Sequence, residues 1–126
     1  MDKDIDIIIY GATGFTGQLC VKYFQSLETQ AKWAIAGRNQ EKLRKVAEEN
    51  LAEVEILIAD SDDEVALDNL TLRAKVILST AGPFHRYGSK LVASCVKNNT
   101  HYVDITGENF WVKGLIENHH EEAARK

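Results

Sequence analysis

Three glycines in seven residues, Gly11-Ala12-Thr13-Gly14-Phe15-Thr16-Gly17, constrain this chain more tightly than any other stretch. An apolar run, Ile5-Asp6-Ile7-Ile8-Ile9-Tyr10, precedes them and a segment patterned as a helix follows. The run is too apolar for a strand with one wet face and predicts one buried on both, as in parallel sheets. A strand, a glycine-dense turn and a helix is an arrangement that grips phosphate. The glycines let the backbone approach closely, and the helix N-terminus offers free N–H groups and a partial positive charge.

The remainder of the chain repeats the alternation. Gly17 to about Thr29 is predicted helical, with Leu19, Cys20, Tyr23, Phe24 and Leu27 on its inner face. Trp33-Ala34-Ile35-Ala36 is a second strand ended by Gly37, and Asn39 is placed to cap a helix running to about Leu51. Glu55–Ala59 is a third strand. Ser61 and Glu64 then form a capping-box pattern before the helix with Val65, Leu67 and Leu70. Val76–Thr80 is a fourth strand, followed by the loop Ala81-Gly82-Pro83-Phe84 and a helix with Leu91, Val92, Cys95 and Val96 inward. His101–Ile105 is a fifth strand, and a last helix starts near Asn109.

Every crossover is long enough for a right-handed βαβ unit. The fold class expected is α/β, a doubly wound parallel sheet with strand order 3-2-1-4-5. In such a sheet a ligand sits outside the carboxyl ends of strands one and four, where the winding reverses. With 126 residues the chain is expected to be one dinucleotide-binding domain, residues 1–126. It ends at Ala123-Ala124-Arg125-Lys126 within a running helical pattern, as the N-terminal part of a longer protein would.

Four places can hold a dinucleotide. In the first turn, Gly11, Thr13, Gly14, Phe15, Thr16 and Gly17 surround the expected pyrophosphate site. Their G-x-x-G-x-x-G spacing departs from the plain GxGxxG fingerprint. Gln18 stands where a Walker A loop requires Lys. At the end of strand two, folds that prefer NAD carry an acidic residue for the ribose 2′-OH. Here Gly37-Arg38-Asn39 occupies that point, with Lys42 one turn on. An Arg fork pairs with a 2′-phosphate, which favours NADP (NADPH) over NAD. Asp60 and Ser61, at the tip of strand three, lie where the adenine edge passes; the alternative role of Asp60 is to cap the next helix. Beyond strand four, Ala81, Gly82, Pro83, Phe84 and Tyr87 face the nicotinamide half, with core packing the alternative for Phe84. His85 and Tyr87 are groups that can move protons, although loop histidines are usually solvated. Thr106-Gly107-Glu108 faces the same crevice, where Glu108 can simply cap the last helix.

Several chemistries are missing. No Tyr here has Lys four positions on, so the Tyr-x-x-x-Lys pair of short-chain dehydrogenases is absent; Tyr87 has Lys90 three on. No cluster has metal-ligand spacing, and adjacent His119 and His120 diverge by about 100° on a helix. A net charge of −4 argues against a nucleic-acid surface. No run of about 18 apolar residues could span a bilayer, and Met1-Asp2-Lys3-Asp4 does not begin a signal peptide. Cys20 and Cys95, alone in helical segments, fit free thiols in a reducing intracellular compartment such as the cytoplasm, with organelle or lipid-surface association left open.

The segments IIIYGATGFTG, AIAGRN, LSTAGPFHRYG and HYVDITGE, in this order, closely resemble the N-terminal domain of saccharopine dehydrogenase-like oxidoreductases. That family also includes saccharopine reductases and bacterial trans-acting enoyl reductases of lipid synthesis. The resemblance spans about Ile5 to Lys126. It implies that the glycine turn binds pyrophosphate, Arg38 and Asn39 the adenosine 2′-phosphate, and the Gly82 loop the nicotinamide side. It also implies a following α+β domain that closes over the substrate. The expected function is NADP(H) binding within an oxidoreductase that moves hydride to or from a small molecule, lipid-like or derived from an amino acid. A non-catalytic NADP(H) sensor or scaffold is the alternative, and a homodimer is compatible with either.

Overall fold

In a computed structural model, which describes residues 3–126, five strands form one all-parallel sheet in the order β3-β2-β1-β4-β5. The elements are β1 (Ile5–Tyr10), α1 (Phe15–Leu27), β2 (Trp33–Gly37), α2 (Gln40–Glu49), β3 (Glu55–Ile58), α3 (Glu64–Arg73), β4 (Ala74–Ser79), α4 (Phe84–Tyr87), α5 (Ser89–Lys97), β5 (His101–Asp104) and α6 (Asn109–Arg125). The expected fold class and strand order are both found. Strand ends agree with the sequence reading to within two residues. The one added element is α4, a single turn of helix inside what read as loop.

The register shows why β1 is apolar throughout. Ile8 and Tyr10 pack with Ala34, Ile77, Leu67, Leu91 and Cys95 on the side of α3 and α5. Ile9, on the other side, packs with Ile35, Leu43, Val46 and Val21 beneath α1 and α2. Successive side chains thus enter two separate cores, and β1 sits between β2 and β4 at the centre of both. Cys95 is fully enclosed, burial pushing its thiol up to about 12, and it makes no disulfide with Cys20.

Two local expectations are corrected. The inner face of α1 is Gly17 and Val21, flanked by half-buried Cys20 and Phe24. Leu19, Tyr23 and Leu27 are exposed, because contact between Gly17 and the glycine turn rotates the helix away from that stripe. The N-cap of α3 is Asp63, whose carboxylate accepts from Ala66 N at 3.1 Å, rather than Ser61. Asp60 causes this: its carboxylate accepts from Asp62 N at 2.9 Å and its carbonyl from Asp63 N at 3.0 Å. That turn consumes residues 60–63 and delays the helix.

At the amino ends of the strands, Lys3 Nζ donates to Thr71 O (2.6 Å), Asn98 O (3.0 Å) and Thr100 Oγ1 (2.7 Å), tying three segments together. The carboxyl ends of the strands lie at the opposite end of the sheet.

Two substitutions test this account by thermal unfolding. Asp63→Ala should cost about 1 kcal/mol through the lost cap, whereas Ser61→Ala should stay within about 0.5 kcal/mol; equal losses would contradict the cap assignment. A Cβ on Gly17 would lie 2.1 Å from Gly11 O, but one on Gly14 would meet only Gly11 O at 3.6 Å. Gly17→Ala should therefore destabilise by on the order of 2–3 kcal/mol, as overpacking does, and Gly14→Ala by less than about 0.5 kcal/mol.

Candidate functional site

The carboxyl ends of β1 and β4 open into a crevice of about 240 Å³ lined by Tyr10, Gly11, Thr13, Gly14, Gly37, Arg38, Ser61, Thr80, Ala81, Gly82 and Tyr87. This is the switch point of the sheet, since β1 connects leftward to β2 while β4 connects rightward to β5.

The glycine turn forms the floor. Gly11 has φ +81, the left-handed region that favours glycine, and a Cβ there would strike Ala81 at 2.9 Å. Its N–H donates to Ala36 O at 2.9 Å, and Gly14 N donates to Gly11 O at 3.2 Å. The first intrahelical bond of α1 runs from Gln18 N to Gly14 O at 2.9 Å. The N–H groups of Phe15, Thr16 and Gly17 therefore belong to the unpaired first turn. No side chain caps this helix, and no acidic residue occupies its first turn. The other described helices that have a side-chain cap, α2 and α3, show what is missing here.

Gly14 has no local reason to be glycine. Its φ of −74 suits any residue, and a Cβ at this position would meet its nearest protein atom at ordinary contact distance. A group approaching from the crevice would need that open space. The residues present thus fit a phosphate: unpaired N–H donors, a helix dipole and a cradle that a side chain would fill.

Arg38 stands at the end of β2 on the rim, exposed, and makes no ion pair among the described residues. Asn39 next to it caps α2 through Oδ1, which accepts from Lys42 N at 3.0 Å. Asn39 and Lys42 lie outside the crevice lining, and the side chain of Lys42 is exposed. Ser61 lines the crevice, while the Asp60 carboxylate is engaged in its own turn.

On the far side, Ala81, Gly82 and Tyr87 line the crevice. Phe84 turns inward, 6% exposed, and stacks on Trp111 with ring centroids 5.8 Å apart. Pro83 precedes it outside the lining, and Phe15 is 83% exposed at the start of α1. Thr16 and Gly17, like Phe15, lie outside the crevice lining, directly beyond Gly14 in the first turn of α1.

Tyr10 and Thr80 were missed in the sequence. Tyr10 OH donates to Ala59 O at 2.9 Å, and burial with the nearby Asp60 charge pushes the phenol up to about 12. Its side chain forms part of the crevice wall. Thr80 Oγ1 donates to Tyr10 O (3.2 Å) and Gly11 O (3.1 Å), fastening the end of β4 to the glycine turn. Polar residues ending adjacent central strands were the available signal.

Glu108 does not cap α6 with its side chain. Its carboxylate instead accepts from Phe84 N at 2.7 Å, His85 N at 3.0 Å, and the His85 ring at Nδ1. The His85 bond, with those two N–H groups, holds the Glu108 carboxyl below its ordinary range. Among the described residues no group of His, Cys, Asp and Glu could hold a metal ion, and no helix is long and apolar enough to cross a membrane.

Comparison with known proteins agrees with this geometry. The family described as "Saccharopine dehydrogenase NADP binding domain" matches residues 7–126. A trans-acting enoyl reductase of Mycobacterium leprae is 39% identical over 125 residues, covering 97% of this chain and 30% of that protein. A putative trans-acting enoyl reductase of Mycobacterium tuberculosis is 38% identical over the same shares. The chain thus spans about a third of the length of the curated relatives it matches. Among solved structures, the saccharopine dehydrogenase (L-Glu forming) of Saccharomyces cerevisiae superposes with TM-score 0.69 at 18% identity, over 88% of this chain and 24% of that one. AtPrR2 with NADP+ and (+)pinoresinol gives TM-score 0.67 at 13% identity, over 98% and 48%. The fold, the site at its switch point and the match over residues 7–126 agree: the chain belongs to the saccharopine dehydrogenase NADP-binding domain family, with NADP(H) as its cofactor.

Proposed function

We propose that this domain holds NADPH for hydride transfer in a longer oxidoreductase whose substrate is lipid-like, an enoyl group being the leading candidate. The observation that carries the cofactor placement is the pairing of an uncapped helix N-terminus with an unpartnered arginine across one crevice. The enoyl assignment draws on the names of the relatives at 38–39% identity.

The chain's residues divide the work as follows. The N–H groups of Phe15, Thr16 and Gly17 bind pyrophosphate above Gly14, where Thr13 and Gly11 complete the turn. Arg38 pairs with the 2′-phosphate through its planar fork, with Asn39 and Lys42 supporting the same charge from α2. The adenine passes Ser61 and the Asp60 turn. The Ala81–Tyr87 segment holds the nicotinamide half. Bound NADPH supplies the hydride; the domain orients it and contributes binding energy from groups remote from the reacting carbon. The remaining substrate contacts come from polypeptide outside residues 1–126.

Calorimetric titration tests the placement. The chain should bind NADPH at least tenfold more tightly than NADH, about the scale of one charge-assisted bond. Arg38→Ala should abolish that difference while leaving NADH affinity unchanged. NADH bound as tightly as NADPH by the unaltered chain would contradict the role of Arg38. Gly14→Ala, neutral for stability, should weaken both cofactors by tenfold or more, on the order of one lost phosphate hydrogen bond. Unchanged affinity would place the pyrophosphate elsewhere.

A further inference from the structure

We infer that Glu108 is a positioning residue for the nicotinamide half of the site, holding the Ala81–Tyr87 segment in shape from a different loop. This rests on the cofactor placement proposed above and adds a residue to it that touches no cofactor.

Four donors converge on one carboxylate. Phe84 N (2.7 Å) and Thr106 Oγ1 (3.4 Å) reach Oε2, while His85 N (3.0 Å) and His85 Nδ1 reach Oε1. An ionised carboxylate is acceptor-only and can satisfy all of them, which no neutral side chain of this length does. Glu108 is aimed before it meets them: its N–H donates to Thr106 Oγ1 at 3.0 Å, and Thr106 N donates to Asp104 Oδ1 at 3.0 Å. The loop leaving β5 is therefore a preformed bracket.

The segment it grips is fixed at both ends. At the β4 end, Thr80 bonds Tyr10 O and Gly11 O, and Ala81 lies against Gly11. At the other end, Glu108 holds the first two N–H groups of α4. Trp111 stacks on Phe84 and lies so close to Gly88 that a Cβ there would be 2.6 Å from the indole. Trp111 Nε1 also donates to Ser89 Oγ at 2.9 Å. Of the three residues of this segment that line the crevice, Ala81 sits at the first anchor, while Gly82 and Tyr87 hang between the two. Removing the carboxylate leaves that end held by Trp111 alone and releases the N–H groups of Phe84 and His85 on the nicotinamide side. The adenosine side, built from β1, β2 and β3, takes no bond from Glu108.

The experiment compares two ligands on the unaltered chain, Glu108→Gln and Glu108→Ala. NADPH reaches both halves of the site, and adenosine 2′,5′-bisphosphate lacks the nicotinamide. Amide hydrogen exchange across residues 81–88 is measured on the same proteins. Glu108→Ala should weaken NADPH about tenfold, the scale of a bond to a charged group, with the bisphosphate unchanged to within about twofold. Exchange at Phe84 and His85 should rise, while Gly11 and Gly14, whose N–H groups are bonded within the first turn, keep their protection. Glu108→Gln, which keeps one acceptor oxygen, should recover part of both effects. Equal weakening of the two ligands would mean that Glu108 serves the fold generally, and would overturn the proposal. So would unchanged NADPH affinity, or unchanged exchange at Phe84 and His85. If the unaltered chain binds neither ligand, the cofactor placement itself fails, a result visible before any variant is made.

Discussion

The contact between Gly17 and the carbonyl of Gly11 sets the geometry of everything around it. There is no room for a methyl group, since a Cβ on Gly17 would stand 2.1 Å from that oxygen and 2.7 Å from Ala12 Cα. The approach brings α1 down onto the end of β1 and aims its first turn at the crevice. It also fixes the rotation of the helix, burying Val21 and leaving Leu19 and Tyr23 outside. Gly11, with positive φ, then abuts Ala81, so the turn after β1 and the segment after β4 are built against each other. One close backbone contact thus shapes both lips of the site.

Electrostatics follow the same division. The phosphate side carries a helix N-terminus with no side-chain cap and a guanidinium without an ion pair among the described residues, while the Asp60 carboxylate is engaged in its own turn. A bound anion there meets donors and little repulsion. On the opposite side the carboxylate of Glu108 is already occupied by two backbone N–H groups and an imidazole, which keeps it ionised and out of the crevice. The cations elsewhere are largely spent on structure: Arg73 bonds Asp4 and Glu55, Lys97 bonds Asp68, and Lys75 bonds Asp6. Arg38 is the exposed cation that the fold places at the end of β2 without such a partner, and the family to which the chain belongs is one that binds NADP.

Much of this was legible because it is local. Ile5–Tyr10 reads as a doubly buried strand from composition alone, and its neighbours in the chain dictate a turn and a helix. The glycine turn, Arg38 and the Gly82 segment fall where strand ends fall, so topology delivers them to one crevice. The errors share a physical origin in contacts that a linear pattern does not carry. The apolar stripe Leu19, Tyr23, Leu27 is as regular as the one that is buried, and a backbone contact chose between them. Ser61 and Asp63 both suit a cap, and the Asp60 turn decided for the later residue. Glu108 looks like the N-cap of its own helix, yet its carboxylate serves α4, across 24 positions of sequence from Phe84. Tyr10 and Thr80 face the crevice only because β1 and β4 are paired, Tyr10 opposite Ser79.

The central claim is that pyrophosphate rests on the first turn of α1 and the 2′-phosphate on Arg38. A crystal structure of the chain grown with NADP+ addresses it most directly. The account predicts phosphate oxygens within hydrogen-bond distance of the N–H groups of Phe15, Thr16 or Gly17, above Gly14, with the Arg38 guanidinium on the 2′-phosphate. NADP+ bound with its pyrophosphate away from α1, or with Arg38 turned to solvent beside an ordered 2′-phosphate, would contradict it.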